Sequence, residues 1–492
     1  MVVYINFTFC MYSMIDFSEK MHFNSFYEQI LMIEVKCLFN YLIFQIIKIL
    51  VPLNMQNILI LGIGRSTYYL LQYLNDFIAS NEVVIKAIDV QLELVEKRTK
   101  EFSNISFVQS EITANSLEKE ITHADIVVSM LPPSFHAMVA ALCLKSQKHF
   151  FTASYVSAEI KAMQEQAESS DLLFMMECGL DPGIDHMSAL SLIHTLKGKG
   201  ATITSFESFT GGLVHPSYTN PPWNYKVSWN PRNVVLAGQG ADAQYKHDGV
   251  IKVVPYTQLF AHPTTWSIST TDVYEGYPNR DSLSYQSLYD LKDASTFERG
   301  TLRYPGFCKG WNYIIQLGLT NDVIQIPEDA GRTGNSFLSQ FLPRSVGTLE
   351  EKLVDVCGTK DVVPYLEALG LLEDSPIATM AGTAAQIFQT IIEKEWRLQQ
   401  SDKDRIVMIH RLRYELNGEN KLVQSSLIVD GEDAERTSMA KTVGLPLAIA
   451  IDLFLQGKIK NRGVVIPIYT EIYSPILERL KSFGVVFKEV VG

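Results

Sequence analysis

The first residues whose spacing carries chemical meaning are Gly62 and Gly64, which follow the apolar run Ile58 to Leu61 and precede Leu70 and Leu74 on one helical face. A strand, a glycine turn and an amphipathic helix in that order bring backbone amides and a helix N-terminus to one point, and that arrangement holds a pyrophosphate. The first two glycines of GxGxxG are present; the third position is Thr67. Glycine there permits close helix-to-strand packing, so Thr67 implies either a wider fit or a hydroxyl turned onto its own helix backbone. Taken alone the pattern is weak, but its place directly after a strand raises it. Gly62, Gly64, Arg65 and Ser66 are therefore candidate cofactor contacts.

A second strand, Val83 to Ile88, ends in Asp89, where a carboxylate can accept the hydroxyls of an adenosine ribose. That placement favours NAD, because a carboxylate repels the 2′-phosphate of NADP. Arg65, Lys97 and Arg98 offer compensating charge, so both nucleotides stay open. The plainer alternative for Asp89 is a strand-end turn residue. Alternation continues with strands at Ile105 to Val108, Asp125 to Met130, His149 to Thr152 and Leu172 to Met176, and with helices beyond Pro132 and Pro133 and from Ser157 to Ser169. This is an α/β pattern, a Rossmann doubly wound parallel sheet. Ligands of such sheets lie beyond the carboxyl ends of the strands, which places Leu131, Ala153, Ser154 and Tyr155 beside the cofactor. A Ser-Tyr pair by itself more often caps a loop.

A chain of 492 residues is too long for one core, so two or three domains are expected. With 47% hydrophobic and 20% charged residues it has the composition of a packed enzyme. A net charge of -12 argues against general nucleic-acid binding, which needs clustered excess Lys and Arg. Cys10, Cys37, Cys143, Cys178, Cys308 and Cys357 contain no CxxC, so neither a zinc site nor a disulfide framework is expected, and a reducing cytoplasm fits. Residues 1–54 form an extension rich in Phe, Tyr, Ile and Met. Its apolar run Cys37 to Leu53 carries Lys48 and falls short of the about 20 apolar residues a spanning helix needs. No membrane contact is expected, and Met55, directly before the first strand, reads as the working start of the fold.

The turn after Met176 reads Glu177-Cys178-Gly179-Leu180-Asp181-Pro182-Gly183-Ile184-Asp185-His186. With Thr152 to Val156, Gly211 to Leu213, Tyr225 to Trp229, Tyr277 to Ser282, Gly300 to Phe307 and Met439 to Pro446, it resembles the saccharopine dehydrogenase and reductase family in one continuous frame. The resemblance implies a Rossmann domain over 55–178. It also implies an α/β substrate-binding and dimerisation region with a mixed sheet over 179–307 and 405–492, the last part returning to the Rossmann domain, and a helical insertion over 308–404. Patches at Ile203 to Phe209, Trp266 to Ser269, Ile406 to Tyr414 and Ser425 to Val429 read as strands, and Leu349 to Leu372 reads as helical. The helix Met439 to Gln456 is apolar nearly all round and reads as buried between domains.

The implied reaction is oxidation of saccharopine by NAD or NADP, a CH-NH dehydrogenation, with imine hydrolysis to L-glutamate and 2-aminoadipate 6-semialdehyde. It needs no metal, and a homodimer is expected. The motifs imply substrate contacts from Ser154, Tyr155, Asp181, Arg280, Thr301, Leu302 and Arg303, and cofactor contacts that include Leu180, Asp181 and Pro182. Saccharopine carries three carboxylates, which Arg280 and Arg303 can grip bidentately. Asp181 and Tyr155 are the candidate proton handlers, but spacing does not choose between them and a water relay. His186 reads as a capping or packing residue and Asp185 as a helix N-cap. Lysine dehydrogenase, a polyamine-precursor dehydrogenase and a non-catalytic nucleotide sensor are the competing readings.

Overall fold

The glycine turn is reached from the strand Gln56–Leu61, whose residues Ile58 to Leu61 are all buried, as a central parallel strand requires. A computed structural model describes residues 56–78, 83–240, 242–329, 331–377 and 381–492, and the extension 1–54 lies outside them. Seven strands build the first sheet, in the spatial order Gly463–Val465, Leu173–Met175, His149–Phe151, Ile126–Ser129, Gln56–Leu61, Val83–Asp89 and Ser106–Gln109. All neighbours pair in parallel. Strand order reverses between Gln56–Leu61 and Ile126–Ser129, so a crevice opens where Gly62 and Met130 leave the sheet.

One strand comes from far along the chain. Gly463–Val465 pairs with Leu173–Met175, and Gln164 secures it by accepting the Val464 amide at 2.7 Å. Just before it, the helix Ser438–Leu455 is long and apolar enough to cross a membrane, yet 78% of it is buried within the protein. It lies on the helix Tyr68–Ile78 that follows the glycine turn. A Cβ added at Gly444 would come 2.8 Å from the Leu70 amide nitrogen, so glycine sets this approach. Asp404 caps the helix start, accepting the Ser438 and Met439 amides at 2.6 and 2.9 Å.

The second sheet is mixed and nine-stranded. Its main path runs Thr264–Ser267, Val273–Pro278, Thr296–Arg303, Thr202–Val214, Asp404–Leu416, Glu419–Asp430 and Lys488–Val491, and the hairpin Ala243–His247 with Val250–Val254 joins at Thr296–Arg303. Only the central pair, Thr296–Arg303 with Thr202–Val214, is parallel on this path. Between the sheets runs the helix Ile184–Gly198, buried nearly all round. The helices Phe307–Gln316, Gly334–Ser339, Leu349–Cys357, Val363–Glu367 and Ala384–Glu395 enclose a separate aromatic core of Trp223, Tyr225, Phe307, Trp311 and Trp396. The single helix expected over Leu349 to Leu372 is broken. Gly358 ends its first part in the left-handed region at φ +74°, and Pro364 starts the next.

Successive side chains of Thr296–Arg303 face opposite ways. Phe297 packs with Phe206 and Tyr289, whereas Leu302 joins Phe209, Trp266 and Val407 on the opposite face. Glu298 is nearly buried and registers beside Glu207 of the neighbouring parallel strand. Burial, with the Glu207 charge adding to it, pushes Glu298 up to about 8. Its folded value therefore lies above its unfolded one, so the folded chain keeps a proton that the unfolded chain releases. The contribution of Glu298 to stability is complete below the unfolded value and falls by about 1.4 kcal/mol per pH unit as pH rises towards 8. Glu298→Gln should gain thermal stability over wild type progressively between pH 5 and 8. Melting curves that stay parallel across that range would show that Glu298 ionises normally.

Candidate active site

Gly62 lies in the left-handed region at φ +87°, and a Cβ there would come 3.0 Å from the Met130 carbonyl across the crevice. Gly64 is the complement, since a Cβ added there meets nothing within 4 Å. A phosphate therefore has backbone to approach at Gly64 and a helix N-terminus beyond it. The Thr67 hydroxyl donates to the Gly64 carbonyl at 2.7 Å, so it is turned onto the glycine turn ahead of its helix rather than onto the helix backbone. Leu131 follows the neighbouring strand and is half-buried. These features fit a dinucleotide.

Asp89 has a structural task beside the ribose contact expected of it. Its Oδ2 accepts the Ile63 amide of the glycine turn at 2.9 Å, its Oδ1 accepts the Gln91 amide at 3.0 Å, and the residue is only 8% exposed. The carboxylate clasps the turn to the second strand. Of the cations that could face a 2′-phosphate, Arg98 is buried in ion pairs with Glu101 and Glu435, and Lys97 is also paired with Glu435. Arg65 is exposed in the turn itself.

At the other end of the crevice, the strand Leu173–Met175 runs into the turn Glu177 to Gly183. The Gly179 amide donates to the Pro182 carbonyl at 3.0 Å, and the Asp181–Pro182 peptide is cis. Gly183 has φ +144°, and a Cβ there would fall 2.1 Å from the Gly179 carbonyl oxygen, so the turn excludes every side chain at this position. It delivers Asp181 to the crevice and starts the helix Ile184–Gly198 with Gly183, rather than Asp185, as its N-cap.

Asp185 instead lies in the first turn of that helix with its carboxylate buried. Its Oδ1 accepts the Gly183 amide at 2.6 Å, and its Oδ2 accepts Arg299 Nη2 at 2.6 Å. The same Arg299 nitrogen donates to Asp181 Oδ1 at 3.2 Å, and the Tyr155 hydroxyl donates to that oxygen at 2.9 Å. Tyr155 is 42% exposed overall, yet its hydroxyl is turned inward onto Asp181. The Arg299 guanidinium stacks 4.2 Å from the Tyr285 ring centre. Behind it, fully buried His186 bridges Glu177 Oε2 at 2.9 Å and the Tyr289 hydroxyl at 2.5 Å, which is the packing role expected of it.

Burial first, and the Asp185 charge second, raise Asp181 above the usual carboxylate range. For Asp185 burial acts the same way, but His186, Arg299 and the Gly183 amide outweigh it and hold the group low. Burial and the neighbouring Asp181 carboxylate push the Tyr155 phenol well up. A hydroxyl and a carboxylate with a high proton affinity thus share one hydrogen bond at the crevice, which suits proton exchange.

Ser154, beside Tyr155, is tied inward. Buried His136 places its ring nitrogens 2.8 Å from Ser154 Oγ and 2.9 Å from Ser129 Oγ, and burial pushes it down to about 4, so it is a neutral link at pH 7. Ala153 and Ser154 are half-buried; Leu180 and Pro182 are buried in the Asp181 turn, and a Cβ added at Gly179 would press on Ala153. Ser66 is half-buried in the glycine turn.

The two expected arginines differ in setting. Arg280 is exposed after the strand Val273–Pro278, in a segment anchored by the Asn279 amide donating to the Arg299 carbonyl at 2.8 Å. Arg303 is buried, its guanidinium 5.1 to 5.7 Å from the ring centres of Tyr225, Tyr277 and Phe307, with Nη1 donating to the Leu302 carbonyl. Its Nε has no partner among the described residues. Thr301 shares the Arg303 face. Leu302 turns its side chain into the core on the opposite face, so the contact expected there falls to its backbone.

Sequence reading missed Arg299 and His136, and gave Asp185 only the N-cap role that Gly183 fills. Arg299 stands two residues before Thr301, so strand periodicity through Thr301 and Arg303 would have placed all three on one face.

Residues 58–175 match the family model described as the saccharopine dehydrogenase NADP binding domain, and residues 179–485 match the saccharopine dehydrogenase C-terminal domain. The chain belongs to the saccharopine dehydrogenase family. It is 32% identical over 445 residues to alpha-aminoadipic semialdehyde synthase, mitochondrial, of Mus musculus, covering 88% of this chain and 47% of that protein. The chain thus spans about half the length of such relatives. It is 30% identical to saccharopine dehydrogenase [NADP(+), L-glutamate-forming] of Saccharomyces cerevisiae, covering 88% of this chain and 99% of the yeast protein. The solved structure of apo saccharopine dehydrogenase (L-Glu forming) from that yeast superposes with a TM-score of 0.77 at 29% identity, covering 89% of this chain and 100% of the yeast chain.

The Asp89 clasp makes a stability forecast independent of any ligand. Asp89→Ala should lower the stability of the nucleotide-free protein by about 2 kcal/mol, because the buried Ile63 amide and the part-buried Gln91 amide lose a charged acceptor. Unchanged denaturant unfolding would mean that the carboxylate is spare.

Proposed function

We propose that the chain oxidises saccharopine with NADP and water, giving L-glutamate, 2-aminoadipate 6-semialdehyde, NADPH and a proton. The observation that carries this reading is the Tyr155–Asp181 hydrogen bond of 2.9 Å, set beyond the strand ends of a dinucleotide-binding sheet. The fungal relatives named for this reaction support the substrate assignment. Bound at the Gly62 to Ser66 turn, the cofactor supplies a hydride acceptor. The protein's own residues bind, orient and exchange protons. Arg280 and Arg303 are the carboxylate grips, and the bare Nε of buried Arg303 is a donor such a ligand would satisfy. Asp181 and Tyr155 handle the proton of the substrate nitrogen and of the water that hydrolyses the resulting imine. Ser154, held by His136, presents a fixed hydroxyl beside them.

Expectation from the sequence alone leaned to NAD, on the Asp89 carboxylate at the end of the second strand. The clasp gives that carboxylate a structural task as well, and the family model's description and the fungal relatives support NADP. Arg65 is then the exposed cation nearest in sequence to the phosphate turn.

Reduced-cofactor absorbance with saccharopine should show a higher kcat/KM for NADP than for NAD, and Arg65→Ala should cut the NADP value by about tenfold while leaving NAD nearly unchanged. A wild-type preference for NAD would return the choice to Asp89. Arg280→Lys should raise the saccharopine KM without altering nucleotide KM, since lysine cannot form the bidentate fork. An equal rise in both would place Arg280 outside the substrate pocket.

A further inference from the structure

One guanidinium nitrogen serves two carboxylates. Arg299 Nη2 lies 2.6 Å from Asp185 Oδ2 and 3.2 Å from Asp181 Oδ1, and that Asp181 oxygen also receives the Tyr155 hydroxyl. Asp185 has the shorter contact and a second anchor in the Gly183 amide, so it is the better-held partner. Arg299 is nearly buried on a central strand with its guanidinium against the Tyr285 ring, which fixes the direction of the shared nitrogen. Every residue of this triangle comes from a different element: Asp181 from the turn, Asp185 from the helix and Arg299 from the second sheet.

We propose that Asp185 and Arg299 are opposed positioning residues that set the proton affinity of Asp181. Arg299 draws the Asp181 carboxylate towards ionisation and aims it at Tyr155. Asp185, holding the larger share of the same nitrogen and adding a like charge, limits that pull and keeps Asp181 able to exchange a proton near neutral pH. This inference rests on Asp181 being the substrate-facing acid-base group of the proposed function. The groups facing Asp181 are Tyr155 from the strand-end loop, Asp185 and His186 from the helix, Arg299 from the sheet, and Tyr285 and Tyr289 beyond it. Glu177 sits behind His186 and Tyr285. The opposite displacements of Asp181 and Asp185 described above agree with unequal sharing.

Asp185→Asn keeps an acceptor for the Gly183 amide but removes the like charge and frees Arg299 for Asp181. Arg299→Gln removes the cation. In pH profiles of kcat/KM, the acidic-limb pKa should move down in Asp185→Asn and up in Arg299→Gln, by about one unit each, equivalent to about tenfold in rate on that limb. A substrate-free readout separates this from the functional reading: carboxyl-13C aspartate is titrated by NMR, with the Asp181 resonance assigned by its loss in Asp181→Asn. The same opposite movements are expected there. If wild type fails to turn over saccharopine, the functional reading falls while the titration still decides the charge sharing. Shifts in the same direction, or none, in folded variants overturn the proposal. Should Arg299→Gln not fold, Arg299→Lys replaces it; a smaller upward shift is expected, and an Asp181 titration identical to wild type in both that variant and Asp185→Asn overturns the proposal.

Discussion

A carboxylate taken out of water is tolerated only where a cation or several donors meet it, and the turn Glu177 to Asp185 brings three carboxylates into one largely buried neighbourhood. Arg299 meets two of them, and the Val156 amide, His186 and the Tyr285 hydroxyl meet the third. Much of the architecture follows from supplying that arginine. Its strand must lie in the middle of the second sheet, beside Thr202–Val214, so that it reaches the helix Ile184–Gly198 passing between the sheets. The turn itself must be tight enough for Gly183 to pass against Gly179, which only glycine permits.

The nucleotide half of the molecule was legible from sequence because its strands are buried on both faces and read as short apolar runs. Ile58 to Leu61, Val83 to Ile88 and Leu172 to Met176 each appear within a residue or two of the observed strands. The second sheet was harder. Thr296–Arg303 alternates Phe, Arg, Thr and Arg on one face with Thr, Glu, Gly and Leu on the other, so neither face looks apolar and the strand passes for a loop. Its polar residues are buried against partners distant in sequence, Asp185 and Asp181 for Arg299 and the rings of Tyr225 and Tyr277 for Arg303. The Tyr155 and Asp181 motifs could be named but their contact could not, since it depends on where two strand ends come together. The Asp89 clasp was hidden for the same reason. Its type and position suit a ribose, and only the fold shows that two amides also use its carboxylate.

Coupling between the two halves runs through the C-terminal segment. The helix Ser438–Leu455 is capped by Asp404 of the second sheet and lies against Leu70 of the helix that would receive the phosphates. Tyr69 and Tyr73 of that helix bond Glu432 and Asp452 at 2.8 and 2.7 Å. The phosphate end and the substrate sheet are therefore joined by one rigid strut, independent of the crevice between them.

The strand Gly463–Val465 carries a consequence for biogenesis. Until it is synthesised, Leu173–Met175 is an apolar sheet edge with no partner, and such edges invite pairing with other chains. At ordinary translation rates the interval between the two strands is on the order of tens of seconds. The nucleotide sheet thus emerges from the ribosome unfinished, its edge open until the strand Gly463–Val465 has been made.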